Sequence, residues 1–124
     1  MKKIKIISEP VELLANVLDT ATGEIIYNCL PIESSVNTWG DEIYFAAPVQ
    51  VEREPNAKDI IEPGEIAFWV EGSCIAIGFG PTPISQGNEI RLAAKTNIWA
   101  ITIDDVKKLS RVKAGDIVRV EKSA

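Results

Sequence analysis

Short runs of alternating apolar and polar residues, separated by glycine and proline, recur along most of the chain. Ile66, Phe68 and Val70 alternate with Ala67 and Trp69, and a turn at residues 71–73 leads into the apolar run of residues 74–79. A period of two residues is typical of β-strands, and a turn between two such runs predicts a hairpin. The pattern therefore favours a mainly β fold.

Two short helices interrupt the strands. Asp19 and Thr20 are suitable N-caps for a helix that must end before Pro31, because the residue before proline avoids helical dihedrals. Residues 104–109 begin with two acids and continue into lysines, as the helix dipole favours. With about nine strands, closure into an antiparallel barrel is the economical way to avoid exposed edges. We predict one domain over residues 1–124.

The composition excludes several kinds of chemistry. The chain has no histidine, which rules out Ser-His-Asp and Cys-His catalysis and histidine-ligated zinc. Cys29 and Cys74 are too far apart in sequence for a CxxC motif and too few for a zinc site, so free thiols are expected. We accordingly expect no metal and no cofactor.

The charge is negative and unevenly distributed. The net charge is -5, and residues 6–52 hold eight Asp or Glu but no Lys or Arg. Such a surface argues against a nucleic-acid partner; it either favours cationic or neutral ligands or serves only solubility. The N-terminal apolar run is broken by Lys5 and ended by Glu9. We therefore expect neither a signal peptide nor a membrane span, and a cytoplasmic location.

The run Asn37–Phe45 concentrates a tryptophan, a glycine, two acids and two more aromatic residues. In a strand, Ile43 and Phe45 would face one side and Glu42 and Tyr44 the other. An aromatic ring beside a carboxylate on an outer face indicates that a ligand, a partner or a loop covers them. We interpret this strand as the wall of a groove.

The loop Gly80–Asn88 forms the second wall of the predicted groove. Its two prolines restrict the chain and its two glycines allow unusual dihedrals, and such loops beside sheets often shape binding sites. The predicted ligand-binding residues are Thr38, Trp39, Tyr44, Phe79 and Thr82, with Glu42 and Arg91 as a possible ion pair at the polar end. Trp39 could equally fill the core, and we interpret Trp69 and Trp99 as core residues.

Three stretches carry a resemblance to a known family. Residues 36–45 (VNTWGDEIYF), 64–69 (GEIAFW) and 79–83 (FGPTP) resemble the small prokaryotic cyclophilin-like proteins of uncharacterised function, and the resemblance covers nearly the whole chain. It implies a closed antiparallel barrel with a helix at each end. It also implies a groove on the outer wall, the site that binds proline-containing peptides in true cyclophilins.

The resemblance supports the fold more strongly than it supports the catalytic activity. In a cyclophilin an arginine from the strand wall hydrogen-bonds the twisting X-Pro amide, but residues 39–45 contain no arginine. Arg53 and Arg91 are the nearest in sequence, and Arg91 is preferred because it follows the loop. The leading hypothesis is a module that binds a peptide or a small ligand. The alternatives are a prolyl isomerase with an atypical active site and a substrate-binding accessory domain of an amide-bond hydrolase. The oligomeric state stays open.

Overall fold

An antiparallel sheet curls into a nearly closed barrel in the computed structural model, which describes residues 2–124. Within these residues the strands are, in chain order, β1 (Lys3–Ser8), β2 (Val11–Val17), β3 (Ile32–Ser35), β4 (Asn37–Thr38), β5 (Glu42–Ala46), β6 (Lys58–Ile61), β7 (Glu65–Trp69), β8 (Cys74–Gly78), β9 (Ile90–Thr102) and β10 (Ile117–Ser123). Their order in the sheet is β3-β10-β1-β2-β9-β7-β8-β5-β4, and β6 pairs with β9 outside this path.

One stretch of chain closes the barrel. β3 pairs with β10 at one end of the sheet and β4 pairs with β5 at the other, yet β3 and β4 are separated only by Val36. Val36 donates its backbone N–H to the carbonyl of Asp116 (2.9 Å). Because the two sheet ends are covalently continuous, hardly any edge is left unpaired. The predicted mainly β, cyclophilin-like barrel is confirmed.

Alternation along the strands separates an inner from an outer face. Ile43 and Phe45 of β5 and Ile75 and Ile77 of β8 are buried in the main core inside the barrel. Trp99 is also fully buried there, and its indole N–H donates to the carbonyl of Ala67 (3.2 Å). The interpretation of Trp99 as a core residue is confirmed.

Both helices form, and the second differs in position and type. Helix α1 (Ala21–Cys29) begins after Thr20, whose hydroxyl accepts from Gly23 N–H (3.0 Å), as predicted. The second is a 3₁₀ helix, Val106–Arg111, capped by the Asp105 carboxylate. It starts two residues later than predicted because the Asp104 carboxylate accepts instead from the backbone N–H of Leu14 (2.8 Å).

Residues 90–102 form one long strand, whereas the alternation in the sequence predicts two separate strands, over residues 89–93 and 97–103. Its pairing with β6 shifts between Ile60↔Arg91 and Lys58↔Thr96, so residues 92–95 lie opposite Asp59 alone. This half of β9 packs against the outer face of the barrel and forms a second apolar cluster. We call it the outer cluster; its buried members are Ile61, Ala67, Ala76, Ile90 and Leu92, with Tyr44 and Ile98 at its edge.

Asn97 links three parts of the chain at the centre of β9. It is fully buried, and its Nδ2 donates to Thr22 Oγ1 (3.0 Å) in α1 and to the carbonyl of Glu52 (2.9 Å). Its Oδ1 accepts from the backbone N–H of Glu54 (2.9 Å). Two of these bonds satisfy backbone groups of Glu52 and Glu54, which lie in the irregular segment of residues 47–57 and have no strand partner.

We expect Asn97→Ala to lower the free energy of unfolding by about 2 to 3 kcal/mol, because it removes one buried and two partly buried hydrogen bonds that each contribute about 1 kcal/mol. Urea denaturation would measure the change. Asn37→Ala is the matched control, since that exposed amide reaches only the carbonyl of Tyr44 at 3.5 Å. A loss for Asn97→Ala no larger than that of the control would contradict the role of Asn97.

Candidate functional site

A cavity of about 310 Å³ opens on the outer wall of the barrel, where the first half of β9 faces β5, β7 and β8. Its acidic and aromatic lining is Trp39, Glu42, Tyr44 and Trp69, its aliphatic lining is Ala76, Leu92, Ala93 and Ala94, and Thr96 adds a hydroxyl group. This volume is at the lower end of the range for small-molecule sites, roughly 300 to 1,000 Å³. The cavity is therefore of a size for a small molecule or a single side chain.

A tight turn places Trp39 opposite Glu42. The turn consists of Gly40 and Asp41, and Trp39 N–H donates to the carbonyl of Glu42 (3.0 Å). Residues directly opposite each other on paired strands share a face, so both side chains lie on the outer wall. Gly40 has a φ of +60°, and a Cβ there would lie 2.8 Å from Pro83 Cδ. Only glycine suits this turn, which packs closely against the loop Gly80–Asn88.

Tyr44 and Trp69 form an aromatic corner across β8. Their ring centroids are 6.5 Å apart with an interplanar angle of 86°, a favourable edge-to-face arrangement. The residue opposite Tyr44 on the intervening strand is Ala76, which is small enough to let the rings meet. A Cβ on Gly72 would collide with the Trp69 ring, so the backbone of Gly72 lies close against it.

The sequence interpretation of Trp69 as a core residue is wrong. Trp69 is only half-buried and lines the cavity, because Phe68, its neighbour on β7, is the residue that points into the barrel. The alternation of Ile66 and Phe68 with Ala67 and Trp69 carried this information. Apolar composition alone suggested the core, whereas the position in the alternation indicated the outer wall.

Glu42 is a buried carboxyl group in apolar surroundings. The residue is 6% exposed, and its Oε1 has no hydrogen-bond partner among residues 2–124. It lies opposite Gly78, where any Cβ would collide with Ile90 of the outer cluster. Burial removes water from the carboxylate and raises the pKa of Glu42 to about 7. Near neutral pH this side chain can therefore either donate or accept a proton.

The proposed ion pair between Glu42 and Arg91 does not form. Arg91 Nε bonds Glu89 Oε1 (2.8 Å), and Arg91 Nη1 lies 3.6 Å from Asp59 Oδ2. Since Ile90 and Leu92 face the barrel, alternation turns the intervening Arg91 away from it. The hydrogen bond to Glu89 raises the pKa of Arg91 above its usual value. The positive charge of Arg91 is therefore paired with acidic residues outside the cavity.

The structure brings together three of the seven predicted groove residues, namely Trp39, Glu42 and Tyr44. Thr38 is exposed opposite Ile43, Phe79 packs on the main core, and Arg91 faces Asp59. Thr82 is buried within the loop, where its hydroxyl donates to the carbonyl of Arg91 and its N–H donates to Ser85 Oγ (2.9 Å). The loop thus supports the site through the turn at Gly40 rather than by lining the cavity.

Residues 2–124 contain neither a cluster of metal ligands nor a helix that could span a membrane. Cys29 and Cys74 are free thiols, and the part of the chain that the structure describes has no group of three or more Asp, Glu or Cys placed to hold a metal ion. Among residues 2–124, neither helix is long or apolar enough to cross a membrane.

Comparisons with known proteins agree on the fold. A family model described as cyclophilin-like matches residues 2–121. The solution structure of the hypothetical protein AF2241 from Archaeoglobus fulgidus is similar with a TM-score of 0.83 and 36% identity, over 98% of this chain and 95% of that one. The structure of McbB in complex with tryptophan is similar with a TM-score of 0.72 and 16% identity, over 100% of this chain but only 45% of that one. No curated protein matches the chain.

The raised pKa of Glu42 predicts how stability depends on pH. Folded Glu42 keeps a proton up to about pH 7, whereas an ordinary glutamate loses it near 4.5. Between these values folded Glu42 binds more protons than it does in the unfolded chain, so its contribution to native stability falls as pH rises and levels off above 7. Glu42→Gln removes this loss. As pH rises through this window, we expect the free energy of unfolding of Glu42→Gln to increase by about 2 kcal/mol relative to that of the native protein. This value allows for solvent screening at the cavity mouth.

Urea denaturation over a pH series would measure this difference. Asp41→Asn is the matched control, because it removes one charge from the exposed neighbouring residue and leaves the buried carboxyl group in place, so the fall in stability caused by Glu42 should remain. The chain has no histidine that could titrate in the same range. Parallel curves for the native protein and Glu42→Gln would contradict the assignment of the raised pKa.

Proposed function

This chain belongs to the cyclophilin-like family, and we propose that it is a binding module for a small organic ligand in the cavity on the outer barrel wall. The observation that carries the proposal is Glu42, a buried carboxyl group with an unpartnered oxygen in an aromatic-lined cavity. A buried polar group without a partner destabilises a fold by about 1 to 3 kcal/mol. Such groups with perturbed pKa values concentrate at functional sites.

The lining of the cavity supports a small ligand over an extended peptide. Ligand sites are mostly apolar walls with a few placed polar groups, and here Leu92, Ala76 and three aromatic side chains accompany Glu42. At about 310 Å³ the cavity could take one side chain of a peptide but not several consecutive residues. Of the peptide and small-molecule ligands expected from the sequence, the cavity therefore suits a small molecule or a single side chain of a peptide.

The similar proteins do not supply the ligand. AF2241 is described as hypothetical, and McbB is described in complex with tryptophan. At 16% identity the likeness to McbB shows the fold alone, and this chain spans less than half of its length. The ligand must be argued from the residues of this cavity.

The first alternative, a prolyl isomerase with an atypical active site, has one observation in its favour. A protonated Glu42 could donate a hydrogen bond to a substrate amide, which a carboxylate cannot do. Arg91, the arginine preferred from the sequence, is turned towards Glu89 and Asp59. We propose that the charged donor of a true cyclophilin has no counterpart here.

The second alternative, an accessory domain of an amide-bond hydrolase, rests on family resemblance alone. The fold does occur within a longer chain, since this chain matches 45% of McbB. Copurification with a hydrolase from the native host would support it. A cytoplasmic location and the absence of a nucleic-acid partner stay predictions from composition.

Binding can be tested by following indole N–H resonances while the protein is titrated with fragments of positive, negative and neutral charge. Ligands in the cavity should shift the signals of Trp39 and Trp69 and leave that of core residue Trp99 nearly unchanged. Ala76→Leu should fill the cavity and weaken binding at least about tenfold. Ala114→Leu, in an exposed turn, is the control and should bind normally. Shifts that persist unchanged in Ala76→Leu, or no shift with any fragment, would overturn the proposed site.

Isomerase activity should be absent or roughly 100 to 1,000 times below that of a true cyclophilin, because losing one charged donor in a dry site has about that effect. A protease-free assay on proline peptides measures it. Arg91→Ala and Arg53→Ala should not change any residual rate. Robust catalysis that Arg91→Ala abolishes would establish the isomerase alternative instead.

A further inference from the structure

We propose that the ligand of the outer-wall cavity is a small organic amine in its protonated form, with its ammonium group against Glu42 and its apolar body between the aromatic side chains. This inference rests on the proposed function, because it assigns a chemical class to the ligand of the same cavity. It follows from the unpartnered acceptor Glu42 Oε1, from the sign of the charges and from the aromatic walls.

The acceptor is the first argument. Glu42 Oε1 has no donor among residues 2–124, although the residue is more than nine-tenths buried and lines the cavity. An ionised carboxylate only accepts hydrogen bonds, so the group that satisfies it must donate. A protonated primary or secondary amine supplies both an N–H donor and the compensating charge. Charge-assisted hydrogen bonds of this kind are about twice as strong as neutral ones.

The cation must come from the ligand. Among the residues that the structure describes, the cavity lining contains no Lys or Arg. Lys58 and Arg91 are paired with acids: Lys58 Nζ lies 2.8 Å from Glu65 Oε1, and Arg91 binds Glu89 and Asp59. Lys95 lies between two lining residues of β9, but it is exposed to solvent and does not line the cavity. An anionic ligand would instead meet Glu42 with no positive charge to offset it. The acidic first half of the chain also attracts cations to this part of the surface.

The aromatic side chains suit the same ligand. Trp39, Tyr44 and Trp69 line the cavity beside the carboxylate, and Tyr44 and Trp69 meet nearly at right angles. The faces of aromatic rings attract cations, tryptophan most strongly, and the attraction grows when water is excluded. A carboxylate with several aromatic rings thus surrounds an ammonium group with complementary partners on different sides.

The remaining lining favours a hydrocarbon body. Leu92, Ala93 and Ala94 of β9 and Ala76 of β8 line the cavity and bring no charge. The hydroxyl of Thr96, also in the lining, already donates to the carbonyl of Lys58 (3.0 Å). Ammonium alone, or a strongly hydrated metal ion, would leave this apolar surface unused. The expected ligand is therefore an amine that carries an aliphatic or aromatic group.

The test compares phenethylamine, which is protonated at neutral pH, with phenethyl alcohol, which has the same carbon frame but no charge. Both are titrated into the native protein, Glu42→Gln and Asp41→Asn, with the indole signals of Trp39 and Trp69 as readout. The amine should bind the native protein at least about tenfold more tightly than the alcohol. Glu42→Gln should abolish this preference. Asp41→Asn, which changes the net charge equally at an exposed neighbour, should keep it.

Equal affinities in the native protein, no binding of the amine at millimolar concentration, or a preference that survives Glu42→Gln would each overturn the inference. The native-protein comparison needs no variant, so it stays decisive even if Glu42→Gln fails to fold, which the Trp99 signal would reveal. If neutral or anionic fragments bind and lose affinity in Ala76→Leu, and the amine is not preferred, the binding module is supported and only the assignment of an amine as its ligand is wrong. The binding module itself falls if no fragment of any charge shifts the signals of Trp39 and Trp69.

Discussion

The packing of the first half of β9 against the outer barrel wall is the contact on which the site depends. A barrel needs only its inner face to be apolar, and the main core provides that. Here the outer wall also carries small residues, Ala67, Ala76 and Gly78, on which Ile90 and Leu92 pack. Because the pairing with β6 shifts along residues 92–95, the strand does not seal the wall completely. The gap between strand and wall is the cavity.

The same packing sets the chemistry of Glu42. On an uncovered outer face this carboxylate would be hydrated and would have the pKa of an ordinary glutamate. Covered by the outer cluster, it loses water without gaining a partner, and its pKa rises to about 7. The fold is thereby destabilised above that pH, and a cation in the cavity would offset the loss. Stability and binding are therefore linked through a single side chain.

Much of the fold and part of the site could be predicted from local pattern. Alternation identified the hairpin of β7 and β8, Thr20 and Pro31 bounded α1, and the run around Gly40 placed Trp39, Glu42 and Tyr44 on the outer wall. The errors arose where distant segments compete for the same groups. The carboxylate of Asp104 accepts a hydrogen bond from the backbone of Leu14 in β2 instead of capping the helix that follows it. The alternation of side chains along β9 points Arg91 away from the cavity and towards acidic residues. Trp69 was missed for a different reason, since its apolar character was weighed above its position.

By itself the sequence determined the barrel, its inner and outer faces, and the absence of histidine chemistry, because strand period, turn residues and composition are local properties. Only the tertiary structure decided that residues 90–102 form one strand with an irregular half, and that this half covers the wall beside Glu42. Register shifts and desolvation depend on contacts between segments far apart in the chain, which no local pattern encodes. The carboxylate was visible in the sequence, whereas its burial without a partner arose only when β9 folded over it.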